Sequence, residues 1–140
     1  MRALRLGIVV FASVALLAAC SPSTDKLIGT IWKLTAVTLT GSGSNLPPGV
    51  VPVADQARYT ITFNDDGTFQ AQADCNTVGG SYTTSGNSMT IQPGPSTLVA
   101  CPADSYGDAF VAALGQVATF AVGNSVPTLT LSDGSSMTFG

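Results

Sequence analysis

Three cysteines carry the chemistry that can be read from this chain: Cys20, Cys75 and Cys101. A thiol can take a lipid, hold a metal, act as a nucleophile or close a disulfide, and its neighbours decide which. The sequence contains no histidine and no glutamate. A Ser-His-Asp triad, a Cys-His nucleophile and a His-based metal site are therefore excluded. No C-x-x-C spacing and no nearby cation would lower a thiol pKa toward redox work. All eight acids are aspartates. Asp65 and Asp66 precede Gly67 but lack the alternating ligands of a calcium loop, so they read as a solvated turn. Asp74 and Asp104 adjoin the two later cysteines, and a bond between those cysteines would draw them together. A carboxylate pair of that kind could do acid–base work, but with no other group beside it the two read as solvated loop charges. No catalytic residue, no metal ligand and no cofactor is assigned, and the protein is expected not to be an enzyme.

The surroundings of Cys20 are specific. Met1–Arg5 carries two cations, and an uncharged apolar run from Leu6 to Ala19 follows. That run is too short for a comfortable permanent span and fits an export signal. It ends Leu17-Ala18-Ala19-Cys20, which resembles the lipobox of bacterial lipoproteins. The resemblance implies that residues 1–19 are removed and that Cys20 is lipidated. Two acyl chains on one residue suffice for stable anchoring. Residues 20–26 are then a lipidated tether and residues 27–140 the folded domain, on the cell envelope. Ser21 rather than Asp follows the cysteine, which in a two-membrane organism resembles sorting to the periplasmic face of the outer membrane. The mature chain keeps Lys26, Lys33 and Arg58 against eight aspartates, a net charge of −5, where the whole chain carries −3. That sign excludes nucleic acid as a partner and leaves the lipid as the grip on the membrane. Export would deliver Cys75 and Cys101 to an oxidising compartment. Two buried free thiols are one alternative there. A disulfide is favoured, and it would close a loop of 26 residues, for about 3.5 kcal/mol on the chain-entropy argument.

The elements that would hold these cysteines follow from periodicity. Charged residues make up 9% of the chain, beside 15 Gly and 8 Pro, and the abundant Ser and Thr point to one all-β domain. Alternation predicts strands at Ile31–Val37, Tyr59–Phe63 and Thr68–Ala73, the last two joined by a turn at Asn64–Gly67. A Gly-rich turn is expected after Cys75, then strands at Ser81–Thr84 and Ser88–Ile91. Thr97–Pro102 reads as a short apolar strand, and 40–54 as a long loop. Near residues 104–117 the period changes to that of a helix, with Tyr106, Phe110, Ala113, Leu114 and Val117 on one stripe. Strands at Thr119–Val122, Thr128–Leu131 and Ser136–Phe139 complete the chain. The fold class is mainly β: a small antiparallel β-barrel, complete or incomplete, of about eight strands with one packed α-helix. Trp32, Tyr59, Phe63, Phe69 and Tyr82 read as its core, and Asn76 as a residue that satisfies turn backbone groups.

Several short motifs share an order. Leu27-x-Gly29-x-x-Trp32-x-Leu34 opens the domain, and Tyr59-x-x-x-Phe63-x-x-x-Gly67-x-Phe69 follows. Cys75-Asn76-x-x-x-Gly80-Ser81-Tyr82, Thr97-x-x-Ala100-Cys101-Pro102, Phe110-x-x-x-Leu114 and Leu129-x-Leu131 come after them. Together they resemble the META domain of HslJ-like lipoproteins over residues 27–139. Val99 stands where that family often has Met, and no Glu precedes Phe110, so no role of that Glu is carried over. The resemblance implies an envelope protein with a β-barrel and one helix, linked in some members to stress or antibiotic tolerance, and it brings no catalytic residue. Two functions stay open: a structural or interaction module at the membrane surface, with its protein partner unidentified, and a carrier of a small apolar ligand. Interior volume separates them, since Ala36, Ala71 and Ala73 are small inward residues.

Overall fold

The computed structural model describes residues 24–40 and 48–140; the expected export signal and lipidated Cys20, within residues 1–23, and segment 41–47 lie outside the described residues. The nucleus of the sheet is a hairpin whose two strands alternate cleanly. Strand β1 spans Trp32–Leu39, β2 Gly49–Pro52, β3 Tyr59–Phe63 and β4 Thr68–Ala73. β3 and β4 pair from Tyr59↔Ala73 to Phe63↔Phe69, so Tyr59, Ile61, Phe63, Phe69, Ala71 and Ala73 share the inner face. The turn between them is held by Asp66, whose carboxylate accepts from the Thr68 amide at 2.9 Å and hydroxyl at 2.6 Å. Those bonds, the hydroxyl's first, hold the Asp66 carboxyl below the usual carboxylate range.

β5 spans Asn76–Ser85 and β6 Ser88–Ser96. The turn before β5 is Asp74-Cys75, with Asp74 at φ +61°. The glycine pair expected to form a turn lies inside β5 instead. A side chain on Gly80 would collide with the Gln92 carbonyl and stand 2.6 Å from the Phe69 ring. Gly80 is bare so that the large Phe69 can cross it. β6 runs five residues past the expected Ile91, through Pro93 and Pro95. The register slips between Val78↔Ser96 and Gly80↔Pro93, a bulge. The prolines are tolerated because the far side of β6 pairs with the next strand only at Ser88↔Thr119.

Helix α1 covers Gly107–Leu114, and β7 Val117–Gly123, β8 Val126–Leu131 and β9 Ser136–Phe139 follow. The helix is shorter than the expected 104–117. Val117 opens β7, and Tyr106 lies outside the helix and exposed, so neither belongs to the apolar stripe; Phe110 and Leu114 do. β7 and β8 are joined by Asn124-Ser125, both at positive φ, the two-residue turn that matches strand twist. β9 then returns to β1, from Leu34↔Phe139 to Thr38↔Ser136. The result is one antiparallel sheet of nine strands closed as a ring, in the order β2-β1-β3-β4-β5-β6-β7-β8-β9 with β9 on β1. The strand not expected is β2, inside the segment read as a loop, while Thr97–Pro102 forms none. β2 continues the β3 side of β1, pairing Ala36↔Pro52 through Leu39↔Gly49.

Side chains from around the ring fill its interior: Ile61, Phe63, Phe69, Val78, Met89, Phe120, Leu129, Met137 and Phe139 are each buried. Buried side chains among the described residues stand at both ends. At one, Leu27 is fully buried, Trp32 Nε1 donates to the Leu27 carbonyl at 2.9 Å, and the Gly29 amide donates to Phe63 O at 2.9 Å. At the other, α1 sits on β4 with Phe110 edge-on to Tyr59 at 5.8 Å. A Cβ on Gly107 would stand 2.7 Å from the Ala73 carbonyl. Gly107 and the small Ala73 therefore admit the helix rather than leave a void.

Candidate functional site

The helix end of the ring gathers the residues with chemistry. Cys75 and Cys101 are bonded, with Cα atoms 5.5 Å apart. The adjacent Asn76 does not serve its own turn. Its Oδ1 accepts from the Val99 amide at 2.8 Å, and its Nδ2 donates to the Val99 carbonyl at 3.0 Å. The side-chain amide thus pairs with one residue of the 97–101 segment as a strand would. The Thr97 hydroxyl donates to Asn76 Oδ1 at 2.8 Å and accepts from the Thr77 amide at 3.0 Å. The Thr97 amide donates to the Thr77 carbonyl at 3.0 Å. Thr97–Pro102 is not the short apolar strand expected from its residues. It is an extended rim held by these bonds and by the disulfide, with Leu98 96% and Val99 59% exposed.

The charges beside it are organised by Arg58. Its Nε and Nη2 each lie 2.6 Å from an oxygen of Asp74, a two-point pair, and its Nη1 lies 3.5 Å from Asp104. The two aspartates do come together, but not as two solvated loop charges. Asp74 has a side chain only 6% exposed, whereas Asp104 is 73% exposed. The guanidinium, helped by Ser105, holds the Asp74 carboxyl below the usual carboxylate range, and Asp74 in turn raises Arg58. A carboxyl held ionised in this way is a poor proton donor at neutral pH. Arg58 was findable in the sequence. The register that pairs Tyr59 with Ala73 puts Arg58 opposite Asp74 one step further on, where the Asp74 amide donates to the Arg58 carbonyl at 2.6 Å.

The remaining residues divide plainly. Trp32, Tyr59, Phe63, Phe69 and Tyr82 are core, with Phe63 and Tyr82 edge to face at 4.8 Å. Among the described residues no three His, Cys, Asp or Glu side chains form a metal-binding group, and no helix is long and apolar enough to cross a membrane. An open trough of about 640 Å³ lies on the outer face of β3–β6, lined by Thr60, Thr62, Gln70, Gln72 and Thr77. Its lining mixes these hydroxyls and amides with the apolar Ile31, Val78 and Pro95 and holds no nucleophile–base pair.

The chain matches the META domain family over residues 25–140. Two solved structures are similar in fold. A protein from Burkholderia xenovorans is 23% identical, with a TM-score of 0.64, covering 94% of this chain and 97% of that one. A DUF4847 family protein from Bacteroides vulgatus is 17% identical, with a TM-score of 0.59, covering 83% of this chain and 94% of that one. No curated protein is similar enough to match.

Proposed function

From the premise that this chain belongs to the META domain family, we propose a non-catalytic interaction module, held on the bacterial envelope by a lipid on Cys20. One observation carries the choice between binding inside the ring and binding on it: among the described residues, large buried side chains occupy the interior and stand at both of its ends. Phe63, Phe69, Phe120 and Phe139 occupy the inside, Leu27 and Trp32 one end, and Phe110 and Leu114 the other. The small Ala71 and Ala73, which leave room for either a narrow packed core or a small cavity, are buried against this packing. A role in envelope stress or antibiotic tolerance would then be exerted through the surface. Asp74 is committed to Arg58 and is not available for acid–base work. Export, processing before Cys20 and lipidation supply the location, on the periplasmic face of an outer membrane where two membranes exist.

Native mass spectrometry of protein purified from membranes tests the reading. A single species carrying only its covalent acyl chains is the expected result. A stoichiometric noncovalent lipid would overturn it in favour of the carrier. The anchor is tested by Cys20→Ala, which should leave the detergent phase and lose processing before residue 20.

A further inference from the structure

Most exposed apolar side chains sit where the fold has no means to cover them. Leu98 sits where the fold works to keep it uncovered. On its N-terminal side the Thr97 amide is tied to the Thr77 carbonyl, and on its C-terminal side both backbone groups of Val99 are tied to Asn76. The disulfide fixes Cys101 two residues on. In an extended chain, backbone groups alternate in direction. With residues 97 and 99 bonded inward, the N–H and C=O of Ser96, Leu98 and Ala100 turn away from β5. The rim is therefore an unpaired strand edge with a leucine at its centre, stiffened from inside.

We propose that Thr97-Leu98-Val99-Ala100 is a substrate-like loop that fills the cleft of a serine endopeptidase with an apolar primary pocket. Such a cleft takes its substrate as an added strand, through outward backbone groups at the pocket residue and two residues before it. Leu98 and Ser96 hold those positions. The clamp distinguishes this occupant from a general adhesive contact, because it secures both sides of one peptide bond. Attack by the serine hydroxyl on the Leu98 carbonyl carbon would form an ester and release the Val99 amine. Asn76 and the Cys75–Cys101 bond keep that amine in place. It attacks the ester, expels the serine and re-forms the Leu98–Val99 bond, so no net hydrolysis occurs. Preorganisation of this kind lowers the ordering cost of binding. The exposed Asp104, three residues past Cys101 and 3.5 Å from Arg58, lies on a chain of net charge −3, which favours an enzyme with a cationic border. The inference rests on the surface-binding reading above and names its partner class.

The test is inhibition of chymotrypsin and subtilisin by the folded mature domain, with trypsin as the control for pocket chemistry. Stoichiometric inhibition of the first two is expected, with trypsin untouched. Leu98→Gly should weaken it by about 100-fold, as loss of a central anchor does. Leu98→Arg should transfer inhibition to trypsin, a gain that misfolding cannot produce. Asn76→Ala should turn the inhibitor into a substrate, cut between Leu98 and Val99 by mass spectrometry. Full activity of chymotrypsin and subtilisin beside folded domain, rapid cleavage of the native loop, or no transfer by Leu98→Arg would each overturn the inference. None of these results bears on bound lipid, so the surface-binding reading stands or falls separately.

Discussion

At the scale of single residues, the helix end depends on two side chains, one that replaces a missing backbone partner and one that pairs with a guanidinium. Asn76 supplies both an acceptor and a donor to Val99. Asn76→Ala should destabilise the domain by about 1–2 kcal/mol and speed amide exchange at Val99, while Asn76→Asp keeps the acceptor and loses the donor. Equal exchange at Val99 in both variants would contradict that division. Asp74 makes a pH prediction with a definite sign. Its folded pKa lies below the ordinary value of about 3.9 because Arg58 favours the carboxylate. Its contribution is complete above that ordinary value and disappears as pH falls through the folded value. Thermal melts from pH 7 to 2 should therefore lose stability more steeply below about pH 4 in the native protein than in Asp74→Asn. Parallel slopes would show that the ion pair is energetically idle.

At the scale of elements, the hairpins were legible and the irregular joins were not. β3, β4 and β9 have the bounds their alternation predicts, because each has one wet face and one dry face. The glycine pair was misread because a turn glycine and a glycine cleared for a neighbour's ring look identical in sequence. Gly80→Ala should cost about 1–3 kcal/mol through overpacking, and Phe69→Leu should recover part of it in the double variant. Purely additive losses would show that Phe69 is not the obstacle. Thr97–Pro102 was misread because its apolar residues imitate a buried strand, and nothing local reveals that Asn76 and Cys75 hold them outward. The pairing of Cys75 with Cys101 was legible by elimination, and Arg58 is legible only once the hairpin register is extended one step past Tyr59 and Ala73. Reduction of the disulfide should lower unfolding free energy by about 2–4 kcal/mol and leave the ring intact, with exchange rising at 97–105. Global loss of strand signal on reduction would contradict this, since the core of Phe63, Phe69, Phe120 and Phe139 lies apart from the bond.

At the scale of the whole molecule, the ring closes by joining its first strand to its last. Leu34 meets Phe139, and Lys33 exchanges two backbone bonds with Gly140, at 3.0 and 2.9 Å. Deleting residues 136–140 removes buried Met137 and Phe139, each worth about 2–5 kcal/mol, and exposes β1 and β8 together. That truncation should abolish cooperative melting, whereas a chain beginning at Thr24 should melt as the longer one does. A cooperative transition in the shortened protein would mean the sheet does not need its closure. Closure also leaves one strand outside. β2 pairs with β1 alone among the described strands, and the Val53 amide donates to Thr35 O at 2.9 Å. By alternation Val51 and Gly49 face β1, and Val50 and Pro52 face out. Pro52 has no N–H, so the outer rim of this exposed strand offers a single donor, at Val50. An open edge with two exposed valines would ordinarily recruit a like edge from another copy. If the chain is tethered through Cys20 as proposed, that encounter would be frequent on a crowded membrane, and a one-donor edge gives it almost nothing to build on. Pro52, the last residue of β2, would on that reading guard against fibril growth at high surface density.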